Sequence, residues 1–368
     1  MINLVTTMSR YLMILLILIY TYYNFRFFSL PDDESKLRLC RLQNVPLFLI
    51  FLLSGTIIYL QTEDEAVVLF FGAQLVFFVL YQLLYRLFYR NASRLLLNNT
   101  CMLLCTSFIM LTRISMDKAV RQFIIMAVAA VITMIIPYVI DRTWQLAKIP
   151  WVYGLIGLAL LLVVCVIGNT SFGAQLSISI GGFSFQPSEI AKIAIITFLP
   201  VLIIKTGRKV RKPGTVAFLV LVGLIQAAGA FVLTDNLSTG IIIGGIAMVM
   251  IFIAHPKTKP FLVVAAIIGT IAGSIVAYMG LTMTTSEDFR IRRILAWLHP
   301  EANMSSGGYQ ALQGLYAIGS GGIFGRGMGN SLQKLGFVPE AQNDMIFSII
   351  CEEMGLIGAV FVMLLFFI

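Results

Sequence analysis

The stretch GFVPEAQNDMIFSIICEEMG, from Gly336 to Gly355, places four carboxylates around one junction. Glu340 and Asp344 stand where a loop-like segment becomes apolar, and Glu352 and Glu353 lie inside the apolar run. A carboxylate held at the entry of a helix can take a proton from a hydroxyl within hydrogen-bond reach. It can equally be a helix-start residue, because acids are favoured there. These residues alone leave both readings open. Ser348 and Glu352 continue the helical face of Asp344. Glu352 and Glu353 are adjacent, so at most one shares that face and the other needs a partner. Glu340 could orient the loop or hold a metal ion.

A second group is cationic. EDFRIRRILAW carries Arg290, Arg292 and Arg293, and Arg326 and Lys334 follow further on. Guanidinium forks match phosphate oxygens; an ordinary surface helix explains the cluster equally well. GSGGIFGRGMGNS has spacing that could cradle phosphate with backbone N–H groups. With no strand before it, a tight surface turn is an equal reading.

A third group sits in apolar surroundings. In FQPSEIAKIAIITFLP, Pro187 suits a first helical turn, and Glu189 and Lys192 follow three residues apart. FVLTDNLSTG places Asp235 at the corresponding end of the next segment. Charges at such depth are costly unless paired or facing water. A Lys192–Asp235 or a Lys192–Glu189 ion pair is expected, lining a polar cavity.

Metal chemistry has little support. Cys101 and Cys105 share a helical face without a histidine nearby, and His255 and His299 lack any HExxH-like context. The sequence requires no cofactor; a divalent cation stays open, its ligands unknown.

These groups must be positioned by membrane helices. Of 368 residues, 59% are hydrophobic and 12% charged, against about 25% charged in soluble domains. Apolar runs near ~20 residues span a bilayer as helices, and β-barrel alternation is absent. The expected class is all-α: a polytopic integral membrane protein of about eleven spans, each run near the ~20-residue length. They lie near 11–28, 46–61, 65–85, 95–113, 120–140, 150–168, 188–205, 215–233, 237–254, 260–281 and 344–368. The net charge of +9 fits basic residues gathered in cytoplasmic loops; no compact basic domain suggests nucleic acid. KTGRKVRK, Lys205 to Lys212, holds five basic residues and no acid, so it is predicted to be cytoplasmic. HPKTK and the loop with Arg86, Arg90 and Arg94 fall on the same side. The acidic QTEDEA and the uncharged 168–187 connection fall outside. Residues 282–343 form an external loop of about sixty residues between the last two spans, far beyond ordinary connections. Its aromatic residues predict short helices folded on the membrane surface.

Four stretches, in order, resemble the SEDS family of FtsW, RodA and SpoVE type. FQPSEIAK is similar to the family's QPSE/QPAE helix start. LTDNLSTG stands where the family has QPDLGT. RIRRILAWLHPEANMSSGGYQALQGLYAIGSGGIFGRGMGNSLQK resembles the large external loop, and VPEAQNDMIFSIICEEMGLIG the LPEAHTDFIF…EE.G segment. The resemblance covers residues 91–368 and makes residues 1–90 extra N-terminal helices. It also implies that the family's last two helices lie beyond Ile368. Thr234, Asn236 and Ser238 depart from the family pattern, as do Gln342 and Asn343, which replace His-Thr; Asp344 is retained.

The resemblance implies a peptidoglycan glycosyltransferase that polymerises lipid II at the outer face of the bacterial cytoplasmic membrane, in division, elongation or sporulation. Asp344 matches the family's essential aspartate and is expected to be the catalytic base. Glu340, Lys192, Asp235, Glu189 and Glu352 would support it. Arg290, Arg292, Arg293, Arg326 and Lys334 would offset charge on the pyrophosphate-linked substrate. A class B penicillin-binding protein is the implied partner, beside membrane lipids. Two other readings are a lipid II flippase, which ion pairs within helices would suit, and an inactive scaffold for a transpeptidase.

Overall fold

The computed structural model describes every residue except 1, 144–149, 168, 172–173, 181–182, 235 and 332–335. In chain order the first helices are α1 (Ile2–Ser29), α2 (Asp33–Thr62), α3 (Glu65–Phe88), α4 (Arg94–Ile114), α5 (Met116–Thr143) and α6 (Pro150–Ile167). Strands β1 (Asn169–Ser171), β2 (Ala174–Ile180) and β3 (Phe183–Phe185) follow. Then come α7 (Pro187–Thr206), α8 (Pro213–Thr234), α9 (Leu237–Ala254), α10 (Lys259–Thr282), α11 (Phe289–Leu298), α12 (Gly308–Gly321) and α13 (Ile346–Phe367).

The eleven expected spans correspond to α1–α10 and α13. Among the described residues, nine helices are long and apolar enough to cross a membrane. Two begin well before their apolar runs. α2 starts at Asp33 because nothing between Pro31 and its apolar core breaks a helix, and Pro46 is accommodated inside it. Bilayer length limits the apolar run, not the helix. The all-α polytopic class holds, with one local addition. The uncharged 168–187 connection contains a small antiparallel sheet of order β1-β2-β3. The AQLSISI of β2 alternates apolar and polar residues with the period of a strand.

Several helices start on side-chain caps. Asp64 accepts from Ala66 N (2.9 Å) at α3, and Ser93 Oγ from Leu96 N (3.4 Å) at α4. Asn236 Oδ1 accepts from Thr239 N (3.2 Å) at α9, so this departure from the family's leucine has a local role.

The chain forms two compact units, Met1–Ile136 with Val276–Ile368, and Pro137–Ile275. The core of the first draws on α1–α4 and α13, with Tyr20, Leu47, Phe51, Phe78, Met102, Phe108 and Phe361 buried. Phe51, Phe71, Phe78, Phe108 and Phe123 form a chain of ring contacts. Amides cross-link the same helices. Gln43 Nε2 donates to Asn24 Oδ1 (3.0 Å), Asn98 Nδ2 to Gln43 Oε1 (2.9 Å), and Tyr20 Oη to Asn99 Oδ1 (3.0 Å). Polar groups in apolar helices bond across the interface when no water is available. α1 and α2 are thereby joined to α4.

The second unit packs α6–α9 around Ile195, Phe198, Leu199, Leu219 and Ile251. Gly223 faces Ala247, and Gly240 faces the Ala227 carbonyl, which lets α8 and α9 approach closely. Gln226 Nε2 donates to the Gly154 carbonyl (3.0 Å), joining α8 to α6.

Candidate active site around Asp344

Asp344 lies in a turn two residues before α13, whose first residue is Ile346, and it is exposed. It is not itself in the first helical turn. Ser348 and Glu352, expected to continue its face, are buried. Both lie within the first two turns of α13, whereas Asp344 precedes the helix. No hydrogen bond or ion pair among the described residues engages the Asp344 carboxylate.

The turn is built on Glu340, which adopts a left-handed backbone (φ 52°). Its carboxylate accepts from Gln342 Nε2 (2.9 Å) and Asn343 Nδ2 (2.7 Å), and its carbonyl from Asn343 N (2.9 Å). The two residues that depart from the family's His-Thr are therefore the ones that lock this turn. Beneath it, Val338, Ala341 and Ile349 form an apolar cluster with Ile114 and Met345. Gln310 Nε2 reaches the Pro339 carbonyl (3.4 Å) from α12. Glu340 thus closes this turn through its own hydrogen bonds. Among the described residues, no three His, Cys, Asp or Glu side chains converge as a metal site.

Below Asp344, α13 is broken at Gly355 (φ 68°, ψ −166°). The glycine-rich segment after α12 fills the break. Arg326 N donates to the Glu352 carbonyl and Gly327 N to the Glu353 carbonyl, both at 2.9 Å. In return, Leu356 N donates to Gly322 O (2.9 Å) and Ile357 N to Ile323 O (3.3 Å). These replace the i→i−4 bonds that the kink removes. Gly322, Gly325, Gly327 and Gly329 all have positive φ. At Gly325 a Cβ would overlap the Glu353 carbonyl, so only glycine lets the two chains cross there. Of the two readings of GSGGIFGRGMGNS, the structure takes the tight turn. Arg326 and Gly327 spend their N–H groups on α13, not on an open phosphate cradle.

Both buried glutamates are engaged. Glu352 accepts from Ser331 Oγ and from Ser320 Oγ (3.4 Å), with Arg326 Nη1 3.9 Å away. Glu353 pairs with Arg113 Nη2 at 3.5 Å. Arg113 also donates to Gln61, whose Nε2 donates to the Met328 carbonyl (3.1 Å). Arg10 Nη1 donates to the Gly325 carbonyl (2.9 Å) from α1. Arg326, expected among the phosphate-facing cations, is thus partly committed to Glu352, with its side chain 36% exposed.

The remaining candidates lie elsewhere. Arg290, Arg292 and Arg293 fall on the first turns of α11, where Arg292 is half-buried and Arg293 exposed. His299 Nε2 contacts the Gly280 carbonyl (2.8 Å), and Asn303 Nδ2 donates to Thr284 O (2.7 Å); both fix the segment after α11 to the end of α10. In the other unit Lys192 pairs with Glu189 at 2.8 Å, one of the two expected partners. The other partner, Asp235, and also Lys334, lie outside the described residues. Sequence reading passed over Arg113, Gln61, Ser320 and Ser331. Arg113 carried a signal: an arginine closing an apolar run requires a partner.

The fold and site define a polytopic helical membrane protein with an exposed carboxylate on a clamped helix entry. The sequence model of the FtsW/RodA/SpoVE family, described as cell cycle proteins, matches residues 92–368. The chain belongs to this family. It is 34% identical over 245 residues to a probable peptidoglycan glycosyltransferase FtsW of Geobacter metallireducens, covering 66% of this chain and 63% of that protein. It is 34% identical over 226 residues to stage V sporulation protein E of Bacillus subtilis, covering 61% and 58%. The chain therefore spans less than two thirds of the length of these relatives.

Proposed function

We propose that the full-length protein is a peptidoglycan glycosyltransferase that polymerises lipid II at the outer face of the bacterial cytoplasmic membrane. One observation carries this reading: Asp344 is presented, exposed and without a partner among the described residues, on a turn fixed to a rigid helix inside the family-matched segment. The names of the relatives supply the reaction class.

In this reading the Asp344 carboxylate accepts the proton of the acceptor sugar's hydroxyl. That oxygen forms its bond to the anomeric carbon of the donor. The carbon–oxygen bond to the lipid pyrophosphate breaks, and its electron pair leaves with the pyrophosphate. General bases contribute about 10²–10⁴-fold when held within hydrogen-bond reach of the proton, and the Glu340 turn supplies the holding. Arg292 and Arg293, with Arg290, Arg326 and Lys334, are the cations nearest in sequence for the leaving charge. A divalent ion would have to share Asp344 with the substrate's own oxygens, since Glu340 is bound to Gln342 and Asn343. The loop 282–343 faces outside, and a class B penicillin-binding protein is the proposed partner.

The test is glycan-strand formation from labelled lipid II by the purified full-length protein. Polymer supports the assignment. Lipid translocation without polymer would replace it with a flippase, and neither activity would leave a scaffold.

A further inference from the structure

We propose that a groove between α8, α9 and α10 binds an anionic glycerophospholipid of the surrounding bilayer. This site is independent of Asp344 and lies wholly within the Pro137–Ile275 unit. The groove has a volume of about 460 Å³, within the ~300–1,000 Å³ of ligand sites. Its walls are apolar: Val216 and Val220 on α8, Met248 on α9, Phe261 and Val264 on α10. Such a wall accepts an acyl chain and offers nothing to a polar ligand.

The mouth has the opposite chemistry. Arg211 and His255 line the groove at this end, and each belongs to a basic connection. KTGRKVRK and HPKTK together hold seven lysines and arginines and no acid. Lys209, Arg211, Lys212, Lys257 and Lys259 are exposed. The second connection has a defined shape. Lys257 N lies 3.1 Å from His255 Nδ1, and the His255 ring stands 5.4 Å from Phe261. Topology alone accounts for basic loops at this end. It does not account for an apolar groove opening at their foot. A phosphodiester without a compensating headgroup cation fits the combination, because each nearby Lys or Arg attracts anionic lipid by about 1 kcal/mol. A zwitterionic lipid would gain the acyl contacts but little from the charge.

The test is lipid retention by the full chain in nanodiscs of mixed phosphatidylglycerol and phosphatidylcholine, read by native mass spectrometry. Wild type should retain phosphatidylglycerol preferentially. The preference should fall about fivefold for each of Arg211→Gln and Lys212→Gln; both side chains are exposed, so folding should persist. Ala217→Trp should obstruct the groove and reduce phosphatidylglycerol retention. Arg41→Gln and Arg90→Gln, exposed basic positions of the other unit, should change nothing. Equal retention of both lipids would overturn the site, as would equal losses in the Arg41 and Arg90 variants. Unchanged retention in Ala217→Trp, with or without a change in oligomeric size, would also overturn it.

Discussion

Arg113 and Glu353 form a buried ion pair, 3.5 Å apart, with side chains only 4% and 0% exposed. The pair ties α4 to the kink of α13. Removing one partner strands the other, which typically costs about 3–5 kcal/mol. Arg113→Met and Glu353→Gln should each lower the unfolding free energy by that order in detergent. Arg113→Met combined with Glu353→Leu should recover much of the loss. A double variant no more stable than the worse single one would mean that the pair does not act as a unit.

Gly355 holds the break open. A Cβ there would overlap Gly325 N and Ile323 O, and its left-handed backbone already disfavours other residues. Gly355→Ala should destabilise by at least about 1–3 kcal/mol, the cost of a strained backbone position. Amide exchange at Leu356 and Ile357, whose N–H groups bond to the glycine segment, should accelerate. Unchanged exchange at both amides would contradict the interlock.

Much of this arrangement was legible in the sequence. Eleven apolar runs located the long helices because lipid demands a minimum apolar length. The carboxylates at 340, 344, 352 and 353 mark the candidate site because charge is rare in so apolar a chain. The β1–β3 sheet is harder to read: AQLSISI carries its period, but so short an alternation in a charge-free connection suits an irregular surface loop as well as a strand. The roles of Glu352 and Glu353 were illegible for another reason. Their partners, Ser331 and Arg113, are 21 and 240 positions away, and no local period links residues across that separation.

The Lys192–Glu189 pair is mostly a surface feature, since the Glu189 side chain is 58% exposed. Exposed pairs contribute about 0–1 kcal/mol. Glu189→Gln should therefore shift thermal stability only slightly. A loss comparable to Glu353→Gln would show that Lys192 lacks any other compensation, Asp235 included.

Sidedness is open to cysteine labelling. Ser305 and Lys209 are both exposed, while Cys40, Cys101, Cys105 and Cys351 are buried and should give little background. An impermeant reagent added outside should modify Ser305→Cys and spare Lys209→Cys. The reverse pattern would invert the topology and place Asp344 on the wrong side for strand synthesis.

The turn that presents Asp344 predicts graded effects. Glu340 accepts from Gln342 and Asn343, so Glu340→Gln keeps a hydrogen-bonding side chain and should reduce polymerisation only several-fold, well short of the ~10²–10⁴ of a lost base. A loss as deep as that of Asp344→Asn would give Glu340 a direct part in the chemistry.

The most direct measurement is strand synthesis from labelled lipid II by Asp344→Asn full-length protein, in a preparation free of other polymerases. Asn preserves size and hydrogen bonding but cannot take the proton. Polymerisation should fall by about 10²–10⁴-fold, with thermal stability and lipid II binding retained because Asp344 is exposed and engages no described partner. Strand synthesis at the wild-type rate by a folded Asp344→Asn protein would contradict the catalytic assignment.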